Sequence, residues 1–216
     1  MRQFSFSDLL FLATALEWTF LMAAIALAFG VPLGLALALA RTSRSVVLRT
    51  VASALIELIQ GIPLLGLLMF FYFGIPVLVG KDVPTVVAVG AAYTIYTAVF
   101  LGDIWRGGIQ AVRQAQWEAG ACLGLSWLQQ FVHIIGPQAF RVALPATVGF
   151  LVQLIKNTSL ASVVGLVELA RAGQMISAGT FQPLLVYTLV AAIYFTICFP
   201  LTTWSRTLEA RLNGAR

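Results

Sequence analysis

The stretch EAGACLGLSWLQQFVHIIGPQAFRVALP, residues 118–145, holds most of a polar run in a 216-residue chain that is otherwise strongly apolar. The run extends over residues 106–140. Its polar members include Arg106, Arg113, Gln114, Gln116, Glu118, Gln129, Gln130, His133 and Gln138. A polar element of this size is unusual in so apolar a chain. We therefore expect it to be an ordered structure that docks on a partner.

The composition predicts a membrane protein. Hydrophobic residues make up 60% of the chain and charged residues only 10%, and the mean hydropathy is +0.95. A soluble domain has about 25% charged residues, so this chain has too few to cover a surface that faces water. We predict one polytopic domain, residues 1–216, surrounded by membrane lipid. The net charge of +5 is dispersed along the chain, which argues against a nucleic-acid partner.

Hydropathy predicts an all-α protein with about five transmembrane helices, because a spanning helix needs roughly 20 mostly apolar residues. The five predicted spans are residues 16–40, 51–79, 84–104, 144–167 and 183–204. Gly61 and Pro63 are expected to kink the second span. Polar residues at 156–159 interrupt the fourth span.

The basic residues predict the orientation. One side of the membrane receives Arg41, Arg44, Arg49, Arg106, Arg113, Arg141, Arg206, Arg211 and Arg216, and the other receives Arg2, Lys81 and Arg171. Cytoplasmic loops carry the excess of basic residues. We therefore predict an amino terminus outside, a carboxyl terminus in the cytoplasm, and a cytoplasmic polar run between spans three and four.

Within the polar run, the pattern predicts helix, turn, helix. Apolar residues recur at helical spacing between residues 125 and 135. Gly124 is expected to form the turn, Glu118 to lie near the start of the first helix, and Pro137 to end the second. Two helices resting on lipid headgroups are the alternative, but such helices usually carry Lys and Arg on their polar face. This run carries mainly Gln, which favours a protein partner.

The spacing in this run resembles the EAA loop of importer-type ABC transporter permeases. The shared order is Glu-Ala-Gly, three residues, Gly, nine residues, Ile, one residue, Gly-Pro, starting at Glu118. Gly120 and Gly136 replace the Ala and Leu that are usual in the family. Residues 61–76, 100–120 and 136–169 resemble the polar amino acid permeases in particular.

The resemblance implies a subunit of an importer that moves a polar amino acid into the cytoplasm across the bacterial inner membrane. A second permease subunit, a dimer of ATPase subunits and an extracytoplasmic binding protein are the implied partners. The implied coupling helix, which docks on the ATPase, holds Glu118, Ala119, Gly120, Leu123 and Gly124.

The sequence predicts no enzymatic activity and no cofactor in this chain. It lacks the Gly-x4-Gly-Lys-Ser/Thr phosphate loop, so ATP and magnesium are expected on the partner ATPase. Two cysteines and one histidine offer no metal-binding constellation. The alternative to an importer subunit is a self-contained ion-coupled transporter or channel.

The candidate substrate path holds Lys156, Asn157, Thr158, Ser159 and Glu57. Lys156 lies 11 residues after Pro145, about 17 Å along a helix. A charge at such depth costs at least about 2.5–3.5 kcal/mol and marks a functional candidate. The alternatives are that Lys156 snorkels or pairs with an acid, and that Glu57 forms an ion pair. Because the family often has Asp at position 157, Asn157 mildly favours a neutral or acidic amino acid.

Two other charged pairs carry structural expectations. Asp103 and Arg106 lie three residues apart and are expected to pair on one helix face. Glu168 and Arg171 follow the fourth span and are expected either to contact a binding protein or to be solvated.

Overall fold

The computed structural model describes residues 2–213, which fold into helices joined by short connections. The helices are α1 (Phe6–Thr42), α2 (Val46–Gln60), α3 (Leu64–Val79), α4 (Thr85–Gln110), α5 (Gln114–Cys122), α6 (Trp127–Val164), α7 (Leu169–Thr180) and α8 (Pro183–Asn213). A π-helical turn, Phe70–Gly74, lies within α3. Another, Phe131–Ile135, lies within α6, which ends in a 3-10 segment, Thr158–Val164. The all-α prediction is confirmed for the described residues.

Four helices, α1, α4, α6 and α8, are each long and apolar enough to cross a membrane, and α2 with α3 makes a fifth candidate span. This agrees with about five predicted spans. The second span, however, is two helices bent by 97°, not one kinked helix. Gly61 ends α2, and Pro63 cannot continue a helix because it lacks an N–H. The short helix α7 was not predicted.

Helices α1 and α4 pack closely at the centre of the bundle through small residues. A Cβ added at Gly30 would lie 2.7 Å from the Cβ of Thr97, and one at Gly34 would lie 2.9 Å from the carbonyl oxygen of Ala98. Small residues four apart let two membrane helices approach closely. Beside this contact lies a core that includes Met22, Leu68, Tyr93, Leu101 and Leu154.

The second helix of the polar run does not end at Pro137, so that prediction was wrong. The π-helical turn Phe131–Ile135 passes directly into the helix Gly136–Asn157, whose first turn holds Pro137. Proline is tolerated there because the first N–H groups of a helix have no partner within it. A Cβ at Gly136 would lie 2.8 Å from the carbonyl oxygen of Phe131, which explains the glycine at this position.

The predicted pair of Asp103 and Arg106 is confirmed, with 2.9 Å between a guanidinium nitrogen and the carboxylate. Arg41 of α1 also donates to Asp103, at 2.7 Å, and to the hydroxyl of Ser53, at 3.1 Å. Arg41 therefore links α1 to both α2 and α4. The spacing of residues along a helix does not reveal these contacts.

Candidate functional site

The helix α5 presents most of the predicted coupling residues to solvent. Glu118 and Ala119 are exposed, and Leu123 is 75% exposed. Glu118 lies in the middle of α5, not near its start, because the helix begins at Gln114. The side-chain amide of Gln114 donates to the Glu118 carboxylate at 3.0 Å. Among the described residues Glu118 has no ion pair, so its charge is available to a partner.

Gly120 faces inward, where Gln130 fills the space beside it. A Cβ at Gly120 would lie 2.9 Å from Cγ of Gln130, which is only 8% exposed. The Gln130 amide donates to the carbonyl oxygen of Leu125 at 2.8 Å. Gln130 thus ties the turn after α5 to the start of α6. Sequence reasoning missed this role, although the replacement of the usual Ala by Gly120 was a signal.

The turn between α5 and α6 is defined by its own contacts. Gly124 has φ +72°, a conformation that favours glycine, as the predicted turn requires. Ser126 and Gln129 then cap the start of α6. The Gln129 N–H donates to the Ser126 hydroxyl at 3.4 Å, and the Gln129 side chain accepts from the Ser126 N–H at 2.9 Å.

We expect Gly120→Ala to destabilise this turn, because the added methyl group would clash with Gln130. Shortening that side chain by Gln130→Ala should remove the clash. Overpacking typically costs about 1–3 kcal/mol. Amide hydrogen exchange across residues 114–130 should be faster in Gly120→Ala than in the wild type. In the Gln130→Ala background the same change should have little effect. Equal effects of Gly120→Ala in both backgrounds would contradict the proposed contact.

The predicted polar cluster lies where α6 changes from α-helical to 3-10 geometry, and its members face different directions. Thr158 is fully buried. The Asn157 amide donates to the hydroxyl of Tyr96 at 3.1 Å, and the Tyr93 hydroxyl donates to the Asn157 carbonyl at 2.9 Å. Asn157 and Thr158 are therefore held against α4, and Lys156 is the exposed member of the cluster.

Lys156 lines a cleft between α6 and α8, with a cavity of about 520 Å³. No acidic side chain lines that cavity, and Lys156 forms no ion pair within the described chain. Pairing with an acid of this chain, one alternative for Lys156, is therefore wrong for residues 2–213. Ser159 does not line the cavity, and its hydroxyl donates to the Lys156 carbonyl at 2.7 Å.

Glu57 lies on the exposed side of α2, 11 residues after Val46 and about 17 Å along the helix. No cation of the described chain pairs with it, so the ion-pair alternative is wrong there. The cavities lined by Lys156 do not include Glu57. The structure of this one chain does not bring the two candidate path charges together.

Glu168 is fully buried, so the expectation of solvent or binding-protein contact was wrong for it. Its carboxylate caps α7 by accepting from the N–H groups of Ala170 and Arg171, each at 2.9 Å, and accepts from the Tyr194 hydroxyl at 3.1 Å. Burial raises the pKa of the Glu168 carboxyl above its ordinary 4.5, although these three hydrogen bonds act in the other direction. Arg171 is half-buried and bonds to Gln174.

The raised pKa of Glu168 predicts a pH dependence of stability. The folded state binds this proton more tightly than the unfolded state, so the contribution is complete below pH 4.5 and is lost as the pH rises through the raised pKa. Glu168→Gln keeps the shape of the neutral form and removes the titration. Thermal melting of both proteins in detergent should show a wild-type midpoint that falls, relative to the variant, as the pH rises. A constant difference from pH 4 to 8 would contradict the assignment.

Comparison with known proteins identifies the family. Residues 30–214 match the family of binding-protein-dependent transport system inner membrane components. The chain belongs to this family. This permease is 34% identical over 194 residues to the probable amino-acid ABC transporter permease protein YckA of Bacillus subtilis, covering 90% of this chain and 85% of the relative. It is 33% identical over 198 residues to the glutamine transport system permease protein GlnP of Escherichia coli, covering 91% and 90%.

Solved structures agree with this membership. The permease superimposes on an amino acid ABC transporter crystallised with histidines, with a TM-score of 0.85 and 30% identity, covering 97% of this chain and 100% of the other. The inward-facing methionine transporter MetNI matches with a TM-score of 0.71 at 20% identity, covering 95% and 99%, which shows the shared fold.

A third relative by sequence is the arginine ABC transporter permease protein ArtQ of Haemophilus influenzae. It is 33% identical over 215 residues, covering 96% of each chain.

Proposed function

We propose that this permease is the membrane-spanning subunit of an ABC importer that moves a polar amino acid into the cytoplasm, across the inner membrane of a bacterium. The observation that carries the proposal is the exposed helix α5, followed by a turn held by Gly124 and Gln130. The relatives support it, because they are permeases named for glutamine, arginine or amino acids in general. ATP is then hydrolysed on separate ATPase subunits.

The distribution of basic residues supports a cytoplasmic position for α5. Nine basic residues fall on the side that holds residues 106–140, against three on the other. The amino terminus is then outside and the carboxyl terminus is cytoplasmic. A binding protein delivers the amino acid to the outer side, and ATPase subunits dock on the inner side.

The proposed coupling role of α5 rests on two properties: its side chains are exposed, and its backbone is held in one conformation. A partner with two ATP-dependent shapes shifts the equilibrium between two states of the permease only through a contact that differs between them. Glu118, Ala119 and Leu123 offer such a surface. Gly120 and Gly124 set the backbone that presents it.

Two exposed charges support pairing with a second permease subunit. Lys156 lies inside the apolar helix α6, and Glu57 lies in the last turn of α2. A charge near the centre of a span costs about 2.5–3.5 kcal/mol or more against lipid. Intramembrane charges almost always face a bundle interior or a water-filled cavity. A second permease subunit supplies that environment, with the substrate path between the two. Asn157, Thr158 and Ser159 shape the path near Lys156, mainly through backbone and buried contacts.

Co-expression with a candidate ATPase and binding protein tests the proposal. The purified complex is reconstituted in liposomes, and uptake of radiolabelled amino acids is measured with ATP inside. We expect uptake only when ATP, ATPase and binding protein are all present. Uptake by the permease alone, driven by an ion gradient, would instead establish the self-contained transporter.

A further inference from the structure

A large apolar cavity, of about 980 Å³, lies between the second half of α1 and the facing side of α2. Residues of α4 and Trp127 of α6 complete its lining. Its one charged lining residue is Arg44, in the connection from α1 to α2. We infer that the cavity holds an acyl chain of an anionic phospholipid, with the lipid phosphate at Arg44 and Arg49. The inference goes beyond the proposed function and uses the membrane orientation proposed there.

The apolar lining is about as long as one leaflet of a membrane is thick. On α1 it runs from Leu33 to the helix end at Thr42, nine residues or about 14 Å. On α2 it runs from Leu48 to Ile59, eleven residues or about 17 Å. Half of a hydrocarbon core is about 15 Å. The hydroxyl and charged groups of the lining come only from residues 42–44, at one end. The cavity therefore has the polarity and length of a lipid that lies within one leaflet.

The polar end carries positive charge that the described chain does not neutralise. Arg44 and Arg49 are exposed, and neither is in an ion pair among the described residues. Arg49 lines a second cavity, of about 370 Å³, which shares Thr42 and Ser43 with the first. No acidic side chain lines either cavity. The Ser43 hydroxyl oxygen accepts from a backbone N–H at 3.2 Å, so its O–H can still donate to a phosphate.

An anionic phospholipid fits both parts of this site. Basic pockets between membrane helices on the cytoplasmic side bind anionic lipid headgroups, and the connection from α1 to α2 lies on that side in the proposed orientation. Trp127, 45% exposed, lines the same cavity, and tryptophan is enriched at the level of the headgroups. A polar amino acid or a free phosphate would leave the apolar part of the cavity without a matching group.

Fluorescence of Trp127 tests this site directly. The permease, purified with its co-expressed ATPase, is placed in phosphatidylcholine nanodiscs that contain a graded fraction of phosphatidylglycerol with brominated acyl chains. Bromine quenches tryptophan on contact, and subtraction of the Trp127→Phe signal isolates this residue. Brominated phosphatidylcholine is the comparison. We expect phosphatidylglycerol to reach half-maximal quenching at a fraction at least about tenfold lower, because each of two arginines favours an anionic lipid about fivefold.

Substitutions assign the effect to the two parts of the site. Arg44→Gln combined with Arg49→Gln should raise the phosphatidylglycerol fraction at half-maximal quenching at least about tenfold. Arg141→Gln is its control, because Arg141 is exposed and lines neither cavity. Ala36→Phe places a larger side chain in the cavity and should reduce quenching by both lipids. Ala28→Phe, at an exposed position of the same helix outside both cavities, should be quenched like wild type.

Three outcomes would overturn the inference. Equal quenching by the two lipids, or an unchanged response of the double arginine variant, would show that the arginines do not select an anionic lipid. Unchanged quenching in Ala36→Phe would place the acyl chain outside the cavity. Loss of the permease pair in that variant, seen by native mass spectrometry, would show that a second subunit fills the cavity instead. Wild-type uptake is measured in parallel, and its absence would reject the importer and leave the lipid result standing.

Discussion

Glu118→Lys is expected to abolish ATP-driven uptake and to release the ATPase from the complex, while the permease itself stays folded. Glu118 is exposed, and within the described chain its side chain contacts Gln114 through one hydrogen bond. Reversing its charge therefore removes little internal stability. At an interface, removing one partner of a hydrogen-bonded charge pair costs about 2–5 kcal/mol, which is about 30-fold or more in affinity.

The measurement is co-purification of the ATPase, together with uptake in liposomes at saturating binding protein. Asp82→Lys is the matched control, because Asp82 is exposed in the connection between α3 and α4, far along the chain from the coupling loop. It should leave both readouts unchanged. Gln114→Ala tests the internal hydrogen bond alone and should have a small effect. Normal ATPase binding and uptake in Glu118→Lys would disprove the coupling role of this residue.

The elements that the sequence predicts well are those set by local pattern. The helices on both sides of Gly124 follow from periodicity, and the positive φ of Gly124 follows from a turn that needs glycine. The end of the second helix does not follow. Proline ends, kinks or begins a helix according to the hydrogen bonds around it. Here the π-helical turn Phe131–Ile135 comes directly before Gly136 and Pro137, and α6 continues through the proline.

The directions of the polar side chains depend on residues far away in the chain. Asn157 turns inward because the hydroxyl of Tyr96, 61 residues earlier, accepts a hydrogen bond from its side-chain amide. Glu168 is buried because Tyr194, 26 residues later, donates to it. A hydropathy profile contains no information about these two long-range contacts. It therefore predicts only a polar break at Asn157 and a solvated carboxylate at Glu168. The same limit concealed that Arg206 of α8 lines the same cavities as Lys156 of α6.

The sequence predicts a bend in the second span but does not predict its angle. Gly61 and Pro63 predict a kink, and sharp kinks in helices usually occur at such residues. The angle of 97° is set by packing instead, because Leu64, Leu67 and Leu68 of α3 are buried in the central core. The break leaves Glu57 and Gln60 at the exposed end of α2.

Gly34→Leu is expected to prevent correct folding of the permease, because this position lies where α1 meets the backbone of α4. A Cβ at Gly34 would already lie 2.9 Å from the carbonyl oxygen of Ala98 and 3.3 Å from the amide nitrogen of Gly102. Backbone atoms of a helix cannot turn aside as a side chain does. Overpacking a core costs about 1–3 kcal/mol and occasionally more, and a leucine against backbone belongs at the upper end.

Gly107→Leu is the matched control, since Gly107 lies on α4 with no neighbouring atom within 4 Å of an added Cβ. Both variants place the same side chain at a glycine of a candidate spanning helix, but only Gly34→Leu places it against the α1–α4 contact. Detergent-extracted yield and thermal midpoint should fall sharply for Gly34→Leu and remain near wild type for Gly107→Leu. Since Arg41 of α1 also holds Asp103 and Ser53, separation of α1 from α4 should loosen α2 as well. Equal stability of the two variants would show that the helices separate without cost and that this packing does not hold the fold.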